Sequence, residues 1–386
     1  MSLLLIIVTA SHGAVFAQSR TGDVLISAGV YIDDVSIKAV SDLWENYLHS
    51  RPDSLYDNPY WNITEKKKFK YFDLLTQTEI GNIYQYLQSY KPTLLSITPI
   101  GDYFRIRNLY SMVTDSGFSD PIAITNVYAK RESSGFALYN SLPIVTRSWQ
   151  RHTIGSIIFI CPSNHLFDPK LAQQLSLFVD SFAKQIGVAP KLCEYYFAPT
   201  FGELMQAQGF DYYIGEGNPA APVGYTDVKN SIIYGGGSNE WYPHEFVHLY
   251  AFEKYPKADS YLHEGLATFI GGSHGHSLDW HILHADSILS ARKDFNIDSS
   301  LTGSFQYANL DYFTGSSYIF GGLIVKMIME KGGWALTKKA MEYGPTPEEG
   351  RFKVLQDVFG VERKNAGRFL RKQISYLAHN IPHTIQ

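Results

Sequence analysis

Apolar residues at Val40, Leu43, Trp44, Tyr47 and Leu48 recur at i, i+3, i+4, i+7 and i+8, so the spacing predicts an amphipathic helix over residues 34–49, stopped ahead of Pro52. Residues 52–62 read as a loop, and a second helical pattern runs over 79–90 to Pro92. The period then drops to two: Phe104 and Ile106 alternate with Arg105 and Arg107, Ile122 and Ile124 continue the alternation, and Glu132-Ser133-Ser134-Gly135 is a hairpin turn. From residue 154 the pattern changes again. Ile157, Ile158, Phe159 and Ile160 form a continuous apolar strand. A helix follows, with Asp168 as N-cap, Pro169 at its first position and Gly187 as its stop. Residues 192–197 and 231–234 read as two further strands, the latter ending in Gly235-Gly236-Gly237.

These patterns predict an α+β protein. A small N-terminal α+β domain with an antiparallel sheet would occupy residues 18–149, and a second domain, residues 150–386, would combine a mixed sheet with a mainly helical C-terminal part. The composition agrees with a folded chain: 45% of the 386 residues are hydrophobic and 18% charged. With 33 Lys+Arg against 37 Asp+Glu and no long basic run, no electrostatic footprint for nucleic acid is present. Cys161 and Cys193 are too few for a disulfide scaffold or a sulfur-based metal site, and their pairing is left open. The run Leu3 to Val8 followed by Ala14-Val15-Phe16-Ala17 predicts a signal peptide over residues 1–17, although no Lys or Arg precedes it. It is too short to span a bilayer, and no later stretch is long enough, so no integral membrane segment is expected in the mature chain. The expected location is periplasmic or secreted.

The sharpest chemical signal is His244-Glu245-Phe246-Val247-His248. On a helix, residues four apart share a face, so both imidazoles can reach one zinc ion, while Glu245 projects beside them, close to a metal-activated water. Pro243 requires the helix to begin nearby, at Ser238, Asn239 or Tyr242. Two His and a water leave a tetrahedral zinc one ligand short. After fifteen intervening residues, Glu264 opens Glu264-Gly265-Leu266-Ala267-Thr268-Phe269, again a helical pattern.

His244 to His248 followed by Glu264-Gly265-Leu266-Ala267 resembles the gluzincin zinc metallopeptidases, most closely their peptidase MA-like branch, over about residues 150–380. The resemblance implies one Zn2+ held by His244, His248 and Glu264, with Glu245 as general base. It also implies a Tyr oxyanion donor after the glutamate ligand in a Tyr-x-x-Gly setting. Tyr312 of Tyr312-Phe313-Thr314-Gly315 matches that position, with Tyr318 as its substitute. The acidic residue usual four positions after the glutamate is Thr268 here, whose hydroxyl could accept a ligand imidazole's proton. His263 adjoins Glu264. Neighbouring helix residues point about 100° apart, so only one can ligate, and helix geometry with the resemblance selects Glu264.

Three further features have plainer readings. His274, His276, His281 and His284 share no ligand spacing with a carboxylate or Cys, which favours exposed polar residues over a second metal site. Gly235-Gly236-Gly237 reads as a strand edge left bare for an extended peptide, and Asn62-Ile63-Thr64 is a glycosylation sequon in a eukaryotic host. The reading is an exported zinc-dependent peptidase acting on a peptide or protein substrate. The alternative is a catalytically silent, zinc-containing adhesion or carbohydrate-handling surface protein.

Overall fold

The computed structural model describes residues 18–19, 24–49, 58–68, 90–113, 117, 119–213, 223–302, 309–343 and 349–381. The signal peptide expected over 1–17, residues 52–57 of the expected loop and nearly all of the helix expected over 79–90 lie outside them. Helices and sheets are both present, as an α+β protein requires. No described helix is long and apolar enough to cross a membrane. The chain divides into two compact units, Met1–Arg147 with Met205–Gly217 and Ser148–Leu204 with Asn218–Gln386.

In the first unit the helix Val35–His49 buries Val40, Trp44, Tyr47 and Leu48, the face that the spacing predicts. Trp44 packs against Tyr47 and Tyr47 edge-on against Trp61. The buried indole N–H of Trp44 donates to Asn108 Oδ1 at 3.2 Å, so the aromatic cluster leaves that donor satisfied. The seven-stranded sheet is built on the antiparallel meander Lys91–Ile100, Tyr103–Val113, Ser119–Glu132 and Gly135–Tyr139. Glu132 pairs with Gly135 across a two-residue turn, as expected. One strand comes from elsewhere in the sequence: Phe210–Tyr213 pairs antiparallel with Ser119–Glu132, so residues expected in the second domain complete the first sheet.

The sequon asparagine is engaged inside this unit. Asn62 Nδ2 donates to Glu132 Oε1 at 2.7 Å and to the Tyr139 hydroxyl at 2.9 Å, while Oδ1 accepts the amides of Thr64 and Glu65. The amide nitrogen that a glycan would need is therefore already committed to the fold.

The second unit carries a five-stranded sheet, in the order Val223–Asp227, Ile232–Gly236, Cys193–Ala198, Ile157–Cys161, Gln150–Ile154. The three central strands are parallel to one another, and each outer strand pairs antiparallel. Between Ile157–Cys161 and Cys193–Ala198 in sequence runs the helix Pro169–Ile186. Asp168 accepts the amides of Lys170 and Leu171, and Gly187 ends the helix in the left-handed region at φ 78°. The strand holding Gly235 and Gly236 is paired on both sides, so it is not the bare edge expected from its glycines; that edge is Val223–Asp227. The glycines admit close packing instead, since a Cβ on Gly236 would lie 2.3 Å from the Phe201 Cα.

Cys161 and Cys193 are free and buried. Cys193 pairs in register with Ile157, which places Cys161 four residues further along the adjacent strand, roughly 13 Å away by strand rise and beyond disulfide reach. Burial pushes both thiols up to about 12.

Glu65 gives the first unit a pH dependence. Burial pushes its carboxyl up to about 7, although the Asn140 amide donates to it at 2.7 Å. Between the usual carboxylate pKa and about 7 the unfolded chain has released this proton while the folded chain keeps it. Stability therefore falls as pH rises through that window and levels off above it. Glu65→Gln, which keeps an acceptor for Asn140, is expected to flatten that part of a urea-midpoint-against-pH profile; an unaltered slope would remove Glu65 as its source.

Candidate metal centre

Pro243 occupies the first position of the helix Pro243–Lys254, whose N-cap is Tyr242. Proline is suited to that position, because the N–H it lacks would have no partner there. His244, Glu245 and His248 consequently fall in the first two turns, all three buried. The helix Ser260–Gly271 follows, capped by Asp259, whose carboxylate accepts the Tyr261 amide. Arg351, buried with Asp259, donates to the same carboxylate through its main-chain N–H and Nε, both at 2.9 Å, and stacks on the Tyr261 ring. The cap is thus fixed from both sides.

Glycines let these elements meet backbone to backbone. A Cβ on Gly271 would stand 2.6 Å from the His244 amide nitrogen, and one on Gly265 would stand 2.2 Å from the Gly321 carbonyl carbon. Glu264, next to Gly265, is thereby brought to the two imidazoles. Its Oε2 lies 3.4 Å from His244 Nε2 and 3.3 Å from His248 Nε2, and the two nitrogens are 3.1 Å apart.

These separations test the fit of a metal. Bonds of about 2.0 to 2.1 Å to a tetrahedral zinc require donor atoms roughly 3.3 to 3.4 Å apart. The three edges observed are close to that figure. His244 Nδ1 donates to the Gly272 carbonyl, which leaves its Nε2 lone pair facing the other two donors. Among the described residues His244, His248 and Glu264 form the one group with metal-ligand spacing. Burial alone would push the Glu264 carboxyl up, but the charge of His248 and the contacts from both imidazoles hold it well below the usual carboxylate range. For His248, burial works against the charged form, and Glu264 more than offsets this and raises the pKa.

Thr268 and Tyr312 are placed differently from expectation, and His263 stays outside the donor group as expected. The Thr268 hydroxyl, buried, has no hydrogen-bond partner among the described residues, and the proton of a candidate ligand is taken by the Gly272 carbonyl instead. His263 turns away from the site, its Nε2 2.9 Å from the Tyr255 carbonyl and its ring stacked on Phe252. Tyr312 is 44% exposed with its ring beside His274, whereas Tyr318 borders a small cavity together with Glu245 and His244. The Tyr318 ring is 6.0 Å from that of His244. Burial, reinforced by the charges of Glu264 and Glu245, raises the Tyr318 phenol and keeps it a proton donor. Tyr318 sits on a π-helical turn, Ser317–Gly321.

The second histidine group is not simply exposed. His281 is buried with Nε2 2.8 Å from Ser273 Oγ, His284 meets Asp311 at 2.6 Å, and His276 stacks on Trp280. Burial pushes His281 down to about 4, so it is a neutral structural partner of the 273–276 turn at ordinary pH. That turn, where His274 adopts φ 48°, forms one wall of a cleft of about 440 Å³ that reaches His244 and is also lined by Trp241, Phe269 and Leu278.

Two residues near the centre carry no motif signal. Thr226, on the edge strand, contacts Glu245, and Tyr242 lines both cavities with its phenol raised by burial and by the charge of Glu245. Their roles arise from strand-to-helix packing, which residue spacing does not report.

No family model matches the chain, and no curated protein matches it. Among solved structures, an M1 zinc metallopeptidase from Deinococcus radiodurans is similar, with 13% identity over 77% of this chain and 67% of that one and a TM-score of 0.28. A likeness at that level carries no weight for function, which has to be read from the residues of the site.

Zinc titration of metal-free protein is expected to saturate at one ion per chain. Alanine at His244, His248 or Glu264 is expected to weaken binding by more than the roughly 10- to 100-fold typical of an outer-shell partner. His263→Ala is expected to keep the stoichiometry; loss of zinc from that variant would move the third ligand from Glu264 to His263.

Proposed function

We propose that the chain is a zinc-dependent peptidase, a hydrolase acting on peptide bonds. The observation that carries this reading is the arrangement of three donor atoms at tetrahedral spacing with an acid/base carboxylate and a protonated phenol beside them. A zinc ion bound there would supply Lewis acidity, polarising the scissile carbonyl and acidifying a water.

The chain's residues have separate tasks in that reaction. His244, His248 and Glu264 hold the ion, and the Gly272 carbonyl fixes the His244 tautomer. Glu245 takes a proton from the attacking water and returns it to the departing amine, so that one carboxylate serves as base and then acid. Tyr318, kept protonated by its surroundings, donates to the oxyanion that develops on the former carbonyl. Among the described residues, the lining of the 440 Å³ cleft beside His244 includes no Asp, Glu, Lys or Arg, which suits an uncharged stretch of substrate. Export belongs to the same proposal and is supported by the apolar run and the small residues before Gln18.

With a mixed peptide library and zinc supplied, the unsubstituted protein is expected to produce new peptide termini, and Glu245→Gln to lose cleavage while retaining zinc. Equal cleavage by both would remove Glu245 as base; none by either would favour the silent surface protein. Tyr318→Phe is expected to lower kcat about 100-fold or more with zinc retained. A comparable loss confined to Tyr312→Phe would return the oxyanion role to Tyr312. If the chain is exported as proposed, N-terminal sequencing of extracytoplasmic material begins at Gln18; a start at Met1 would contradict cleavage there.

A further inference from the structure

We propose that Thr226, on the edge strand Val223–Asp227, is a positioning residue that fixes the Glu245 carboxylate in one rotamer. The inference rests on the reading of Glu245 as general base. Thr226 Oγ1 lies 2.9 Å from Glu245 Oε2 and 2.9 Å from the Glu245 main-chain oxygen. A hydroxyl has one proton to give, and these two acceptors compete for it. The main-chain oxygen belongs to the first turn of Pro243–Lys254, where the α-helical ladder directs the Leu249 N–H onto it. The Thr226 proton therefore goes to Oε2. Glu245 is only 5% exposed, so solvent offers little competition for that site.

A second observation places the strand against the base. Gly224 precedes Thr226 by two residues and so shares its face of the strand. A Cβ on Gly224 would lie 2.9 Å from Glu245 Cγ and 2.5 Å from Tyr242 Cε1. The absence of a side chain at residue 224 sets how closely the strand approaches the helix, and the hydroxyl at residue 226 then reaches the carboxylate. Glu has several staggered rotamers, and one of them must present an oxygen to the attacking water. Thr is suited to select it, because β-branching restricts its own χ1.

The test compares the unsubstituted protein with Thr226→Val and Thr226→Ser, each zinc-loaded, on one cleaved peptide. Thr226→Val is expected to keep zinc content and KM while kcat falls about tenfold, and Thr226→Ser to recover most of that loss. A metal-free double-mutant cycle of Thr226→Val with Glu245→Ala, read by urea unfolding, is expected to show coupling of about tenfold in the unfolding equilibrium constant. An unchanged kcat in Thr226→Val, or the absence of coupling, overturns the positioning role and leaves the peptidase reading intact. Absence of cleavage by the unsubstituted, zinc-loaded protein overturns that reading and the positioning role with it.

Discussion

The geometry of the candidate metal centre depends on contact between backbones at positions that carry no side chain. Gly265 lies against Gly321, and Gly271 against the first turn of the helix bearing His244. No Cβ fits at either place without moving the main chain opposite it. A glycine inside a helix costs about 0.5 to 1 kcal/mol relative to alanine. Here that cost is offset by bringing three helical segments closer than ordinary residues allow. Glu264 can then share a donor triangle with two imidazoles, and Tyr318, on the π turn that ends at Gly321, can approach the same point.

Such a triangle places a carboxylate and two imidazoles in partly or wholly buried surroundings, where an uncompensated charge would be expensive. The compensation is mutual. Glu264 stays ionised because imidazoles face it, and His248 gains basicity from Glu264. The Gly272 carbonyl adds direction by orienting the His244 ring. The loop after the helix Ser260–Gly271 therefore both walls the cleft and sets a tautomer, and buried His281 secures that loop through Ser273.

The parts of this arrangement that were legible in the sequence are those encoded by local spacing. Asp168 and Gly187 bracket their helix because caps act within one turn, and the His244/His248 pair shares a face because its helix is regular. Glu264 could be named because its helical segment follows the pair closely. The placing of Tyr318, and not Tyr312, beside Glu245 and His244 is not legible, because a π turn shifts which side chain faces inward and spacing read as ordinary helix or loop does not reveal that shift. Thr226 and its edge strand are not legible for another reason. Which strand lies outermost is a property of the assembled sheet, and Gly235 and Gly236 read as an edge only while their neighbours on both sides are unknown.

The strand Phe210–Tyr213 gives the chain an unusual accounting of its ends. The path passes from the first unit to the second after Arg147, returns at Met205 and leaves again after Gly217. A cut at the first passage would part residues 1–147 from the rest of the chain, yet one strand of their own sheet would remain covalently attached to the other unit. Neither unit is one uninterrupted stretch of sequence, so neither can be excised whole by a single pair of cuts that leaves the other intact.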